Sequence, residues 1–307
     1  MKIIDAHMHI FDYLKGYGRK GELRAIGNGW GRWANGDEMR IIPEGMGDVS
    51  FPPEKAVELM DRYGVERGVL LQGNLYGFMN EYVKEAVEKY PDRFVGACTI
   101  DPYFLEAKAI LDRWVDKEGF DILKFEFSTG GGFMGFHGDF KLNAPLMDHV
   151  WYKAEQKRLV VALDYGSPYM ESFQLEETLD ILRNCPHIQL VVCHTFAPTK
   201  RPGDEEKLIM ALDALKPFEN VSFDLAALLW NTLPDVAPYP TAAHYMKLTR
   251  DRVGSERMMF GTDLPTALTA HSFEDMVNSI VQCGHFNEQE LENIMYNTAK
   301  RVYFRGK

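Results

Sequence analysis

Residues 3–9 read Ile3-Ile4-Asp5-Ala6-His7-Met8-His9, an apolar run that ends in two histidines spaced i, i+2. Side chains two apart on a strand point the same way. His7 and His9 can therefore aim two imidazoles at one point, and imidazole is the commonest metal ligand among side chains. Two hydrogen-bonded strand histidines without a metal form the competing reading. The rest of the chain weighs on that choice. Further apolar, β-branched runs lie near 66–72, 93–99, 120–126, 158–164, 188–194, 220–225 and 257–262. Helical patterns separate them, near 54–63, 79–90, 104–117, 145–157, 171–184, 204–216, 241–252 and 272–282. Such regular strand–helix alternation predicts a parallel sheet closed into a (β/α)8 barrel. The whole chain, 1–307, is expected to form one barrel domain, with insertions after the first and fourth strands. A closing helix near 288–304 is an extra element.

Composition sets the class. The chain has 307 residues, 46% hydrophobic and 26% charged, with a net charge of −11. That is the make-up of a soluble globular protein with ample core material. The negative balance argues against nucleic acid or an anionic membrane surface as a partner. No apolar run approaches membrane-spanning length, and no signal-peptide layout opens the chain, so a cytoplasmic location is expected. Cys98, Cys185, Cys193 and Cys283 are scattered without a CxxC pair, which suits core positions in a reducing compartment.

Two connections exceed simple turns. Residues 10–51 carry many glycines with Arg19, Arg24 and Arg32, and residues 128–143 are rich in glycine and phenylalanine. Both follow a strand, so both are expected at the barrel's C-terminal face, where long loops carry function.

In a barrel, chemistry sits on the C-terminal ends of the strands. The polar residues at those ends are His7 and His9, Lys124 and Glu126, Asp164, His194, Asp224 and Asp263. Apolar strands rarely place ionisable groups at buried ends, where an unpaired one costs several kcal/mol. Asp224 reads as a structural group bonded to a loop. His137, in the glycine loop, could reach the pocket. His149, His187, His244, His271 and His285 read as surface or capping residues.

Three motifs together resemble the amidohydrolase superfamily, closest to its amidohydrolase-related (family 2) branch. They are Ile4-Asp5-Ala6-His7-Met8-His9-Ile10-Phe11, Val191-Val192-Cys193-His194-Thr195-Phe196 and Phe260-Gly261-Thr262-Asp263-Leu264-Pro265. The resemblance runs from residue 3 to about 300 and implies a barrel hydrolase, decarboxylase or hydratase that uses a divalent metal. It implies His7, His9 and Asp263 as metal ligands, zinc as the expected ion with manganese as the alternative, and His194 as a catalytic histidine. Asp263 would double as general base. The chain departs from the branch at strand five, where Asp164-Tyr165-Gly166 stands in place of an expected metal-binding histidine. Asp164 can replace it as a ligand, since carboxylate oxygen also binds such ions. The alternatives are that His194 moves in as a ligand, or that the metal is absent.

Lys124 reads either as the anchor for a substrate carboxylate or as half of an ion pair with Glu126 or Asp164. Gly130-Gly131-Gly132-Phe133-Met134-Gly135 imitates a dinucleotide-binding fingerprint, but no helix opens at its last glycine. The expected partner is a small molecule, carboxylate-bearing given Lys124 and the insert's arginines. Related barrels often form dimers, so a homodimer is the expected assembly. The preferred activity is hydrolysis by metal-activated water. Decarboxylation or hydration on the same parts is the alternative, and a metal-free, non-catalytic ligand-binding barrel is the second.

Overall fold

The computed structural model describes residues 1–306. Its strands are β1 (Ile3–Met8), β2 (Lys15–Gly18), β3 (Gly21–Gly27), β4 (Trp30–Trp33), β5 (Glu38–Arg40), β6 (Val65–Leu70), β7 (Phe94–Gly96), β8 (Ile122–Glu126), β9 (Val160–Asp164), β10 (Gln189–Val192), β11 (Val221–Asp224) and β12 (Met258–Met259). β1, β6 and β7 pair in parallel, and so do β8 to β12 in chain order. Two seams join these arcs. Cys98 N–H donates to Ile122 (3.0 Å) and Lys124 N–H to the Cys98 carbonyl (2.9 Å). On the other side Ala6 N–H donates to Phe260 (2.9 Å) and Asp263 N–H to His7 (2.8 Å). Eight parallel strands thus close into the (β/α)8 barrel, with helices between successive strands outside it.

The strand period of two sorts the side chains. On β8, Ile122, Lys124 and Glu126 share one face; on β9, Val160, Ala162 and Asp164 do. Low in the barrel this inward set is apolar, and Ile122, Val160, Ala162 and Val191 pack with Ile4 and Val69. At the C-terminal ends it becomes ionisable. The closing helical run, residues 288–303, turns its Ala299, Val302 and Tyr303 onto that inner apolar cluster, beneath the strands. The last helix is therefore the stopper of the barrel's closed end.

The insertion after β1 is a sheet rather than a loop. β2 to β5 form a four-stranded antiparallel ribbon in chain order. Asn28 (φ 52°) and Gly29 (φ 77°) both lie in the left-handed region and turn β3 into β4, the Asn-Gly arrangement favoured in two-residue hairpins. The edge strand β2 is fastened to the barrel through backbone alone. Lys15 N–H donates to Tyr76 (3.3 Å), Tyr17 N–H to Asn74 (2.8 Å) and Arg19 N–H to Gly130 (2.8 Å). Gly16 permits that approach, because a Cβ there would lie 1.9 Å from the Leu75 carbonyl oxygen.

Among the described residues no helix is long and apolar enough to cross a membrane. Cys98, Cys185 and Cys193 are buried free thiols, with Cys283 partly buried.

Candidate active site

The two histidines of β1 meet Asp263 from the end of β12. His9 Nδ1 lies 2.9 Å from the Leu71 carbonyl, which fixes Nδ1 as the protonated nitrogen. Its Nε2 is left as the free acceptor, 2.9 Å from Asp263 Oδ1. Burial pushes the His9 pKa down to about 4, so the ring is neutral. His7 is held in the same manner: Nδ1 faces Asp224 Oδ2 at 3.1 Å, and Nε2 lies 3.6 Å from Asp263 Oδ1. One donor atom each from His7, His9 and Asp263 falls within 4.8 Å of the others. Burial opposes ionisation of Asp263, but the facing rings of His9, His194 and His7 hold its carboxyl below the usual range. Two imidazoles with tethered Nδ1 atoms and a convergent carboxylate fit a divalent transition ion of the zinc type.

Asp164 and His194 face each other beside this group, with the His194 ring stacked on that of His7 at 4.6 Å between centroids. His194 Nδ1 donates to the Ala226 carbonyl (2.9 Å), and Nε2 stands 3.5 Å from Asp164 Oδ2. Burial disfavours the cation, but Asp164, with help from Asp263 and Asp224, raises the His194 pKa to about 10. In return, against the cost of burial, His194 holds Asp164 well below the usual carboxylate range. The structure thus brings His7, His9 and Asp263 together and pairs Asp164 with His194 instead.

The backbone that presents His194 is strained. His194, Thr195, Phe196 and Ala197 all have positive φ, between 44° and 66°, and none is glycine. Each such residue costs on the order of 1–2 kcal/mol. Asp224 holds the segment in place. Its Oδ1 accepts the His194 N–H (2.8 Å) and its carbonyl accepts the Thr195 hydroxyl (2.8 Å), while its Oδ2 orients His7. Its expected structural role, bonding to a loop, is the smaller part of what it does. Its strand-end position was visible in the sequence; its span to both histidines was not.

Lys124 is buried yet forms no ion pair with Glu126 or Asp164 among the described residues. Burial opposes its charge, and Cys193, Asp164 and Glu126 outweigh that, so the ammonium stays protonated. Glu126 was legible only as the i+2 neighbour of Lys124. Burial, then the charge of Asp164, push its pKa up to about 7. Its oxygens occupy space that Cβ atoms on Gly73 and Gly131 would invade, at 2.8 and 2.7 Å. The glycine run after β8 thus clears room for a carboxylate, and the resemblance to a nucleotide loop ends there.

These groups line one cavity of about 280 Å³, completed by Tyr76, Thr266, Trp230 and, from the inserted sheet, Met39. Among the described residues no arginine lines it. Arg19, Arg24 and Arg32 are exposed, and Arg32 pairs with Glu38 at 2.8 Å. They do not supply the expected anion contacts. His137 does not reach this cavity either; it lies in a neighbouring one, with Nε2 2.7 Å from Asp101. Of the histidines expected at the surface, His271 is buried, at 8% exposure.

Comparison with known proteins agrees with this architecture. A family model described as amidohydrolase matches residues 4–305. An amidohydrolase from Burkholderia multivorans solved with bound zinc superposes at TM-score 0.72, 16% identity, covering 99% of each chain. A probable 2-pyrone-4,6-dicarboxylic acid hydrolase from Acinetobacter baumannii, solved with citric acid, gives 0.69 at 16%, covering 99% of this chain and 100% of that one. The 5-carboxyvanillate decarboxylase of Sphingomonas paucimobilis gives 0.57 at 14%, covering 81% and 82%. At these identities the likeness is one of fold. No curated protein matches the sequence. The family match spans nearly the whole described chain, from the first strand to the closing helix, and the chain belongs to the amidohydrolase family.

Proposed function

We propose that this protein is a metal-dependent hydrolase of a small, carboxylate-bearing substrate. The observation that carries the reading is the convergence of His7 Nε2, His9 Nε2 and the Asp263 carboxylate, with each Nδ1 already committed. A divalent ion held there supplies Lewis acidity toward a substrate oxygen and acidifies water at neutral pH. Asp263 accepts the proton of the attacking water and returns it to the leaving group. The His194 imidazolium, with Nδ1–H spent on Ala226, turns Nε2–H toward the negative charge that develops on the substrate oxygen. Lys124, a buried cation on the cavity wall without an ion-pair partner, takes the substrate carboxylate.

Decarboxylation is the second reading, favoured by the same unpaired cation and by the decarboxylase among the solved structures of this fold. Turnover of a panel of carboxylate-bearing lactones, esters and aryl carboxylates in ¹⁸O-water separates the two. Hydrolysis places the label in the product, with metal retained by the native protein and lost from Asp263→Asn. Release of CO₂ with no label in the organic product supports decarboxylation. A protein that neither holds a divalent metal nor turns over any member of the panel sinks both readings.

A further inference from the structure

Beside the catalytic cavity lies a second and larger one, of about 540 Å³. It opens between the edge strand β2, the segment after β6 and the glycine loop after β8. Its volume falls in the range of small-molecule sites, about 300–1,000 Å³. The walls are aromatic. Phe78 packs against the buried Phe133 (6.1 Å between centroids) and meets Phe104 edge-on (6.5 Å, 74°). Phe104 and Phe136 remain 49% and 38% exposed, so large apolar surface faces an open concavity.

The polar groups on its walls are few and differ in commitment. Asp101 is already held, by His137 Nε2 at 2.7 Å and by the Tyr103 N–H at 2.9 Å. Lys15, exposed on β2, touches only the surface carboxylate of Asp12, at 3.3 Å. Asn74 is 3% exposed, and its Nδ2 has no hydrogen-bond partner. Buried side-chain amides are rarely left so. A loosely held cation and three aromatic faces together describe a ligand that is flat, apolar and anionic at one end; the Asn74 Nδ2 is closed to solvent and takes no part.

We propose that this second cavity binds a planar aromatic carboxylate, its ring among Phe78, Phe104 and Phe136 and its carboxylate toward Lys15. The site needs neither a metal nor the hydrolytic chemistry next door. Segments that form its walls also line the catalytic cavity: Gly73, Leu75 and Tyr76 face one side, Asn74, Gly77 and Phe78 the other.

The test is calorimetric titration of the intact protein with 2-naphthoate, paired with saturation-transfer NMR. Phe104→Ala and Phe136→Ala alter half-exposed side chains outside the folded core, and circular dichroism confirms their folding. One site is expected, weakened about tenfold or more in each variant, as loss of one aromatic contact implies, and retained in Asp263→Asn. Loss of binding in Asp263→Asn with retention in both phenylalanine variants would place the probe in the catalytic cavity and overturn the proposal. So would equal affinity in all variants, or no binding at millimolar probe. Replacement of Lys15 by Met should weaken 2-naphthoate but not uncharged 2-naphthamide; an equal loss for both removes the assigned role of the anion.

Discussion

The candidate active-site cavity uses its histidines in two opposite ways, although His7 and His194 stack on each other at 4.6 Å. On the β1–β12 side, His7 and His9 each commit Nδ1 to a fixed acceptor and turn a free Nε2 toward one carboxylate; burial keeps His9 neutral. On the β8–β10 side, His194 also commits Nδ1, but its Nε2 meets the carboxylate of Asp164 and the ring becomes a cation. The difference is set by what stands opposite Nε2 and how many other charges share it. Asp263 is divided between two rings, a geometry for sharing a metal ion. Asp164 faces a single ring, a geometry for holding a proton. In the proposed reaction the same residue type serves as ligand in one place and as acid in the other.

The strongest way to break this comparison is to remove the shared carboxylate. Asp263→Asn should lose bound metal by elemental analysis and cost about 10²–10⁴-fold in kcat, the range for loss of a general base. Asp164→Asn, analysed alongside, should keep its metal; equal loss from both would merge the two sides into one ligand set. Asp224→Asn is next. It removes the acceptor for His7 Nδ1–H and should lower metal affinity about 10–100-fold, as loss of a ligand's hydrogen-bonded support does elsewhere. A competition titration with a chelating dye reads this directly.

A smaller effect sharpens the charged side. In Asp164→Asn the His194 pKa should fall from about 10 toward the ordinary imidazole value near 6.5, because the carboxylate that offsets burial of the cation is gone. NMR titration of the ring C–H resonances measures that fall, and the rate at alkaline pH should drop about tenfold as the imidazolium is lost. An unmoved His194 would contradict the pairing.

The smallest effect concerns stability. Glu126 has its folded-state pKa raised to about 7 from an ordinary 4.5. The folded state therefore binds this proton more tightly than the unfolded chain. Its contribution is full below the ordinary value and is lost as pH rises through about 7. Glu126→Gln should flatten the fall in stability across that window by about 1–2 kcal/mol in urea melts. A slope identical to that of the unaltered protein would remove Glu126 as its source.

Much of the barrel was readable because its signals are local. Each strand carries its own apolar run, and the ionisable residue at its end stands out against it. His7, His9, Lys124, Asp164, His194 and Asp263 all reached the cavity the alternation implied. The inserted sheet was not read, since its glycines dilute strand propensity; the pair Asn28-Gly29 was the one signal that marked it. Asp224 was undervalued because its two duties join residues 217 and 30 positions away. The pairing of Asp164 with His194 depends on how far adjacent strand ends lean toward each other, which no local pattern encodes. The arginines of the insert misled for a related reason: strand alternation leaves Arg24 and Arg32 exposed, and Arg19 sits exposed in the turn after β2.

The fastening of β2 has a consequence for how this protein can change. Three main-chain amides of the ribbon, at Lys15, Tyr17 and Arg19, hold it against the loops around the cavity, and no side chain takes part in those bonds. The roof's position is therefore independent of most of the letters written on it. Met39 and its neighbours can be exchanged to admit a different guest while the catalytic floor stays where it is. Gly16 is the letter that cannot vary, since any larger residue lifts the roof off its hinge line. A selection for new substrates should accumulate changes along the ribbon's inner face and leave that glycine untouched.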